Sequence, residues 1–382
     1  MSKTKLNEQP LAGIRVLDFT ANAAGPACSM LLADFGAEVI KIEPPEGDAT
    51  RRWGKARLGE RNDLTPTFVS MNRNKQSVVL DLKDPRGLKE AHGRIADSDV
   101  VIESYAPGVA ARLGISYKDA SIIKPDVIYC SVSGFGQTGP LSSRPGFDML
   151  MQAFAGHMSI TGERGRGSVR SGPSAIDLMT GAHGAFAILV ALRHRDKTGE
   201  GQAIDVSLYD SAVYMICNHL SEFLTSGQLP DKFGSDFPLI APYGVFKAKD
   251  REFYLGVSSD RMWQSWCKEM ARPDLAKDLR FIDMGSRVAN REVLLAEMTE
   301  TSKTRTASEW VDAAIALGIP ASLVQTMEEV ACHEHTLARE LVIDSGAAGI
   351  KTVGIPIKMS KTPGIHRLAP PSLGGETKGD TA

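Results

Sequence analysis

The residue patterns that most often carry enzyme chemistry occur in this sequence only as fragments. Ser133 precedes Gly134 but has no glycine two residues earlier, so the turn that exposes a catalytic serine in hydrolases is not indicated. The glycines of 162–167 lack the spacing of a dinucleotide-binding loop, and there is no P-loop sequence. His333 and His335 have the wrong spacing for a zinc-binding helix. Serine hydrolase, nicotinamide, flavin and zinc chemistry are therefore disfavoured.

An aspartate at the start of an apolar helical pattern is the remaining candidate. Asp177 follows a glycine-rich turn, and a strongly apolar helical pattern runs from it to about Arg195. An aspartate in this position is often only a helix N-cap, whose side-chain oxygen accepts a hydrogen bond from a backbone N–H. A carboxylate can also act as a nucleophile. The local sequence leaves both roles open.

The elements that would position these residues alternate between strand and helix. Strands are predicted at 14–19, 38–42, 78–82, 100–103, 127–132 and 203–207, and helices at 25–36, 87–95, 117–123 and 177–195. The first strand, helix and strand form a βαβ unit, whose parallel strands require a helical crossover. The alternation predicts a doubly wound α/β domain.

The pattern changes after a polar, linker-like stretch at 226–236. A hairpin is predicted from 243–248 and 253–257, and helices at 261–270, 291–301 and 307–317. The proline-rich end from residue 363 suggests that the chain returns along the large domain. We therefore predict a large α/β domain at 1–225 completed by 330–382, and a small α+β domain at 226–329.

Length and composition limit the functional classes. With 382 residues, two domains are more plausible than one, and the net charge of −2 without a long basic run argues against nucleic-acid or membrane-surface binding. The polar N-terminus and the lack of a run of about 18 apolar residues favour a cytoplasmic protein. The scattered cysteines predict reduced thiols rather than disulfides or a metal site: Cys28, Cys130, Cys217, Cys267 and Cys332.

A series of short motifs runs in order through most of residues 11–260. The motifs lie at 11–20, 25–26, 32–43, 72–77, 105–108, 133–136, 139–140 and 195–202. Together they resemble the class III CoA-transferases, the CaiB/BaiF family, which includes formyl-CoA transferase and a branch of 2-methylacyl-CoA racemases. The resemblance implies a Rossmann-like large domain and a smaller domain, joined by two linkers into a ring that interlocks with a second ring as a homodimer.

The resemblance also implies the reaction and its nucleophile. Members of the family move CoA from an acyl-CoA thioester to a free carboxylic acid, with no tightly bound cofactor and no metal. Their nucleophile is an aspartate at the start of a helix after a glycine-rich turn, a place that Asp177 occupies. Attack of a carboxylate on a thioester gives a mixed anhydride and then an aspartyl-CoA thioester, so two easier steps replace one hard step.

CoA-binding residues follow from the same resemblance. The matching positions are Asn22, Ala23, Asn74, Lys75, Ser104, Tyr105 and Arg112. Lys75 and Arg112 are the expected phosphate partners because both are cations. Tyr105 either stacks on adenine or packs in the core.

Two departures from the family pattern bear on the substrate. The racemase branch has a catalytic histidine where this chain has Phe147, followed by Asp148 as possible support. The glycine-rich loop of formyl-CoA transferase is missing, since 237–242 passes directly into 243–244. The histidines His157 and His183 are expected to pack between helices. Racemase or epimerase activity, and a non-catalytic CoA-binding subunit of a heteromer, remain the alternatives to CoA transfer.

Overall fold

The computed structural model describes residues 8–58, 62–346 and 350–375. The chain divides into two compact units. The first comprises Met1–His157, Arg170–Gly227 and Glu334–Ala382, and the second comprises Met158–Val169 and Gln228–His333. The predicted boundaries near 225 and 330 lie close to these. No pattern in the sequence indicated that Met158–Val169 joins the second unit.

The strands and helices alternate along most of the chain. The strands are β1 (Arg15–Phe19), β2 (Glu38–Glu43), β3 (Lys75–Val79), β4 (Val100–Glu103), β5 (Ile128–Ser133), β6 (Gln202–Ser207), β7 (Tyr243–Lys247), β8 (Glu252–Gly256), β9 (Ala321–Leu323), β10 (Val342–Asp344) and β11 (Lys351–Val353). The helices are α1 (Ala24–Asp34), α2 (Pro66–Met71), α3 (Pro85–Ala96), α4 (Val109–Arg112), α5 (Tyr117–Ile123), α6 (Asp148–Phe154), α7 (His157–Ile160), α8 (Ala175–Thr198), α9 (Leu208–Met215), α10 (Cys217–Ser226), α11 (Asp260–Glu269), α12 (Met284–Ala289), α13 (Arg291–Ser302), α14 (Ala307–Ala316), α15 (Met327–Cys332) and α16 (Glu334–Ala338).

A six-stranded parallel sheet forms the centre of the first unit, as the sequence predicts. The strand order is β3-β2-β1-β4-β5-β6, and every neighbouring pair is parallel. The chain proceeds from β1 outward to β3 and then returns to β4, beside β1, so the loops after β1 and β4 diverge at the carboxyl end of the sheet. Ligands of doubly wound folds bind in the crevice at such a switch point.

Apolar side chains cover both faces of this sheet, which explains the continuous apolar runs of its strands. Alternate strand residues point to opposite faces, so Val16 and Val100 join one core while Leu17 and Val101 join the other. The first core also holds Ile188 of α8. Helix α8 therefore packs against this face of the sheet.

Helix α8 is the one helix in the described part of the chain that is long and apolar enough to cross a membrane. This corrects the expectation that no segment reaches that length and apolarity. A core helix of a globular protein passes the same test, and 44% of the apolar window is buried. The packing of α8 against α1 and the sheet accounts for that burial, so the helix is weak evidence for a membrane span.

The second unit has its own core and a three-stranded antiparallel sheet of order β7-β8-β9. The predicted hairpin is present as β7 and β8. Three tryptophans are almost fully buried against this sheet, Trp263, Trp266 and Trp310. Their area makes an independent core possible in a unit of this size.

Candidate active site

Asp177 lies in the first turn of α8, three residues after the N-cap residue Ser174. Its side chain is half-buried. Within the described part of the chain, the Asp177 carboxylate accepts no hydrogen bond. Its pKa is affected by burial and by the charge of Asp148. Asp177 is therefore not the cap of α8.

The cap of α8 comes from another helix. The Oδ2 atom of Asp148, the first residue of α6, accepts the backbone N–H of Ile176 at 2.8 Å and that of Asp177 at 3.1 Å. Asp148 is 4% exposed, so its carboxylate is held almost out of water beside the start of α8. A carboxylate at a helix N-terminus is stabilised by the free N–H groups and by the helix dipole.

This arrangement changes the acidity of the neighbouring carboxyl. Burial and, secondarily, the charge of Asp148 raise the pKa of Asp177 from 3.8 to about 7. Partial desolvation and a like charge both disfavour the ionised form. A carboxylate that is costly to ionise and lacks hydrogen-bond donors is more nucleophilic than a solvated one, and perturbed acidity of this kind is typical of functional sites.

Close packing between α8 and α1 brings Asp177 to the loop after β1. A Cβ atom at Gly181 would lie 2.7 Å from the carbonyl oxygen of Ala24, and one at Gly184 would lie 3.0 Å from Sγ of Cys28. Glycine at these two positions thus lets α8 lie close against α1, and at Gly181 the contact is with the backbone. The start of α8 therefore lies against the start of α1.

The result is a small pocket of about 100 Å³ at the switch point of the sheet. It brings together five of the residues that the sequence predicted for the site: Asn22, Ala23, Ser104, Phe147 and Asp177. The other lining residues are Ala21, Ala24, Gly25, Trp53, Val132, Ser133, Gly134, Gly146 and Leu208. Trp53, 44% exposed at the rim, had no sequence signal that could have revealed it.

The loop after β1 is held in position by side chains from neighbouring loops. Oγ of Ser104 accepts the N–H of Ala21 at 3.0 Å, and Asn22 adopts a left-handed backbone with φ of 68°. Asparagine tolerates this region better than most residues. Gly134 and Gly146, which also line the pocket, pack closely together, because a Cβ at Gly134 would lie 2.9 Å from the backbone of Gly146.

A larger cavity of about 560 Å³ adjoins the small pocket, and Ala21 lines both. It extends over the carboxyl ends of β1 and β2 and contains Tyr105, whose pKa is raised to about 12 by burial and then by Glu103. Two cations line it, Arg52 and Lys83. Neither cation was predicted as a site residue, although the segment 78–83 could have suggested Lys83, because it follows a strand whose end reaches the crevice.

Two of the predicted CoA ligands lie elsewhere. Lys75 is almost fully buried, and its Nζ atom contacts Oδ2 of Asp18 at 3.1 Å, Oδ1 of Asn72 at 2.9 Å and the carbonyl of Pro26 at 2.9 Å. Burial outweighs Asp18 and lowers the pKa of Lys75 to about 8. With three partners inside the protein, this ammonium group is not directed at a ligand.

Asn74 likewise has a structural environment. Its Nδ2 atom donates to Asp34 at 2.9 Å and to the carbonyl of Ile365 at 2.8 Å, while its Oδ1 atom accepts the N–H of Arg367 and of Leu368. These bonds attach the C-terminal segment to the sheet. The geometry thus gives Asn74 and Lys75 indirect roles, below the crevice rather than in it.

The remaining predicted residues have simpler surroundings. Arg112 is exposed at the end of α4 and lines neither pocket. A ring nitrogen of His157 lies 2.9 Å from the carbonyl of Ala212, and Nδ1 of His183 lies 3.0 Å from Oγ of Ser211. Both histidines pack between helices, as expected. No group of three potential metal ligands occurs in residues 8–58, 62–346 and 350–375.

Known proteins resemble this chain along nearly its whole length. The model of CoA-transferase family III matches residues 11–377. The chain is 34% identical over 375 residues to succinyl-CoA:glutarate CoA-transferase of Homo sapiens, covering 97% of this chain and 85% of that protein. It is 36% identical to acetyl-CoA:oxalate CoA-transferase of Acetobacter aceti, covering 92% and 89% of the two chains.

The fold has a solved counterpart. The crystal structure of a CaiB/BaiF family protein from Brucella suis superimposes with a TM-score of 0.90 at 33% identity, covering 96% of this chain and 97% of that chain. A family match across nearly the whole length, and relatives above 30% identity, establish common descent of the entire fold. The chain therefore belongs to CoA-transferase family III.

Proposed function

We propose that this protein moves CoA from an acyl-CoA thioester to a free carboxylic acid, with Asp177 as the covalent nucleophile. The observation that carries the proposal is the isolated Asp177 carboxylate. It lines the switch-point pocket, accepts no hydrogen bond within the described residues, and has a pKa raised to about 7 by burial and by Asp148.

The reaction begins when a carboxylate oxygen of Asp177 attacks the thioester carbonyl. The C–S bond breaks, CoA leaves as a thiolate, and a mixed anhydride forms. The thiolate then attacks the Asp177 carbonyl of the anhydride, which releases the donor acid as its carboxylate and leaves CoA on Asp177. This step keeps the thioester energy in a covalent bond.

The second half repeats these steps in reverse. The acceptor carboxylate attacks the aspartyl-CoA carbonyl and expels the CoA thiolate, which gives a new anhydride. The thiolate attacks the acceptor's carbonyl, so the product is a new acyl-CoA and free Asp177. No proton is gained or lost overall, which removes the need for a general acid.

Oxyanions form at each addition and require nearby donors. Asp148 already occupies the N–H groups of Ile176 and Asp177. Helix α1 begins at the pocket without a side-chain cap, and Ala23, Ala24 and Gly25 line it. We assign oxyanion stabilisation to the N-terminus of α1 rather than to α8.

The two adjoining cavities suit a long, anionic thioester. The reactive end would lie beside Asp177, between Asn22, Ala23 and Ser104, and the nucleotide end would extend into the larger cavity with Tyr105 and Lys83. Arg112 on α4 remains a proposed phosphate partner at the outer side. CoA is then a substrate that enters and leaves in each turnover.

The acceptor is proposed to be a small carboxylic acid. Relatives carry the names of glutarate, oxalate and mesaconate transferases, so dicarboxylates are the first compounds to test. Racemisation is disfavoured because Phe147, in place of a second base, has no proton to exchange. A silent subunit is disfavoured by the environment of Asp177.

The test is a matrix of CoA thioesters and acids, with new CoA esters followed by mass spectrometry. Wild-type protein incubated with a donor thioester and then hydroxylamine should carry a hydroxamate on the peptide with Asp177. Asp177→Asn should bind the ester and transfer nothing, because an amide cannot form the anhydride. Near-normal transfer by Asp177→Asn would remove Asp177 as the nucleophile.

A further inference from the structure

A buried glutamine links Asp148 to the loop that precedes α8. Gln152 follows Asp148 by one helical turn of α6, so the two side chains lie on the same face. Its Nε2 atom donates to Oδ1 of Asp148 at 2.5 Å. Its Oε1 atom accepts the N–H of Ser171 at 2.9 Å and the hydroxyl of Ser171 at 3.2 Å.

These contacts form one continuous chain of hydrogen bonds. It runs from Ser171 through Gln152 to Asp148, and from Asp148 to the backbone of Ile176 and Asp177. Gln152 is 2% exposed and Asp148 is 4% exposed, so water does not compete for these bonds. The chain ends on the peptide unit that carries the nucleophile.

A side-chain amide meets both demands made on residue 152. The Asp148 carboxylate has acceptors only and needs a donor, whereas the N–H of Ser171 needs an acceptor. An amide supplies one of each without a charge. A carboxylate could replace it only in its protonated form, and a hydrocarbon would leave Oδ1 of Asp148 and the N–H of Ser171 without this partner.

We propose that Gln152 is a positioning residue of the transfer reaction. It fixes the Asp148 carboxylate as the cap of α8 and thereby sets the orientation and ionisation of Asp177. This inference rests on the proposed function of Asp177. It assigns Gln152 an effect on the chemistry that a core-filling residue would not have.

The variant Gln152→Glu separates positioning from packing by its pH dependence. At low pH a protonated Glu would donate to Asp148 and accept from Ser171, as Gln152 does. At high pH its ionised form would repel Asp148 and add negative charge near Asp177. We expect kcat/KM within about threefold of wild type at pH 6 and at least tenfold lower at pH 8.5.

Gln264→Glu is the matched control. Gln264 donates through Nε2 to the carbonyl of Ala276 in the second unit, at 3.1 Å. The ratio of its kcat/KM to that of wild type should not change between pH 6 and pH 8.5. Gln152→Met, which keeps the side-chain length but has no donor, should slow hydroxamate formation at all pH values while retaining CoA-ester binding.

The outcomes distinguish this inference from the proposed function. If Asp177→Asn is inactive but Gln152→Glu gives a pH profile parallel to that of wild type, positioning by Gln152 is wrong and Asp177 stands. If Gln152→Glu does not fold, Gln152→Met decides: an unchanged rate of hydroxamate formation overturns the proposal. Active Asp177→Asn overturns both.

Discussion

The two carboxylates at the start of α8 have divided roles, although the residue types are the same. Asp148 accepts two backbone N–H groups and the amide of Gln152, whereas Asp177 accepts no hydrogen bond within the described residues. Hydrogen bonds hold the first carboxylate in place, and burial destabilises the ionised form of the second. Environment, not residue type, separates the cap from the proposed nucleophile.

This division predicts a pH dependence. Asp177 must be ionised to attack, so kcat/KM should fall about tenfold per pH unit as the pH drops below about 7, the pKa of Asp177, and should level off above it. Asp148→Asn removes the like charge and leaves the burial. The pH below which kcat/KM falls should therefore move to a lower value, without reaching the pKa of 3.8 of a free aspartate.

The control for that shift is Asp119→Asn. Asp119 accepts the N–H of Ser116 at 2.9 Å in the capping box of α5, so the substitution also changes a carboxylate at a helix N-terminus, but outside the pocket. Its pH profile should superimpose on that of wild type. If kcat/KM of Asp148→Asn begins to fall at the same pH as that of wild type, Asp148 does not act on Asp177 electrostatically.

The same raised pKa predicts a cost in stability. The folded-state pKa of Asp177 exceeds its unfolded value, so ionisation destabilises the fold increasingly from about pH 4 up to pH 7 and by a constant amount above. Asp177→Asn should raise Tm at pH 8 by roughly 1–2 °C, for a discounted gain of about 1 kcal/mol, and by nothing near pH 4. Thermal unfolding at the two pH values checks this, and an equal change at both would contradict it.

The cations of the larger cavity predict that the phosphate-bearing end of CoA binds there. Lys83→Ala should weaken binding of the CoA ester about tenfold through a lost charge-assisted contact, with a smaller effect on kcat. Lys89→Ala, on the exposed surface of α3, is the control. Calorimetry with CoA and dephospho-CoA measures the effect, and Arg112→Ala in the same series tests the outer phosphate partner. Equal affinity in Lys83→Ala and Lys89→Ala would place the phosphates elsewhere.

At the scale of elements, backbone contact between α1 and α8 determines where Asp177 lies. An alanine at Gly181 would place its Cβ 2.7 Å from the carbonyl oxygen of Ala24 and 3.0 Å from Cβ of Ala27. The helices must then separate, which moves Asp177 away from the loop after β1. Gly181→Ala should lower stability by about 1–3 kcal/mol and reduce transfer more than CoA-ester binding.

Gly93→Ala is the matched control for this substitution. Gly93 lies in α3, and a Cβ there would meet nothing within 4 Å. Alanine has the higher helix propensity, so this variant should gain about 0.5–1 kcal/mol with normal activity. Denaturant unfolding and turnover of both variants provide the comparison. A stable, fully active Gly181→Ala variant would show that the close packing is not needed.

At the scale of the whole molecule, the first unit leaves an apolar surface exposed along α8 and α9. Its members are Leu178, Phe186, Leu189, Val190 and Tyr214, each more than 40% exposed. Apolar patches on soluble proteins usually mark contact with another chain. We propose that a second copy covers this face in a homodimer, in line with the interlocked dimer that the family resemblance implies.

Phe186→Asp tests that proposal. Phe186 is 68% exposed, and a carboxylate there would be buried without a partner if a second copy covers it. Light scattering and sedimentation at nanomolar protein should show dimeric wild type and a weakened dimer in the variant. Ile122→Asp, at a similarly exposed apolar residue of α5, should behave as wild type. A wild-type monomer would exclude the dimer.

The sequence by itself determined the parallel α/β unit, the hairpin of the second unit and the aspartate at the start of α8. These depend on local signals: apolar runs, the alternation of strand with helix, and motif order along the chain. These signals can be read from the sequence because each depends on residues that are close together along the chain. The family resemblance added Asn22, Ala23 and Ser104, and the structure places all three with Asp177 in the pocket at the switch point of the sheet.

Only the tertiary structure decided which charged groups face the crevice. Asn74 and Lys75 match the motif, yet their polar atoms bond to Asp18, Asp34 and the C-terminal segment, while Lys83 reaches the cavity. It also showed that Asp148, 29 positions before Asp177, caps α8. Such roles depend on burial and on partners distant in sequence, and both arise only when the helices pack.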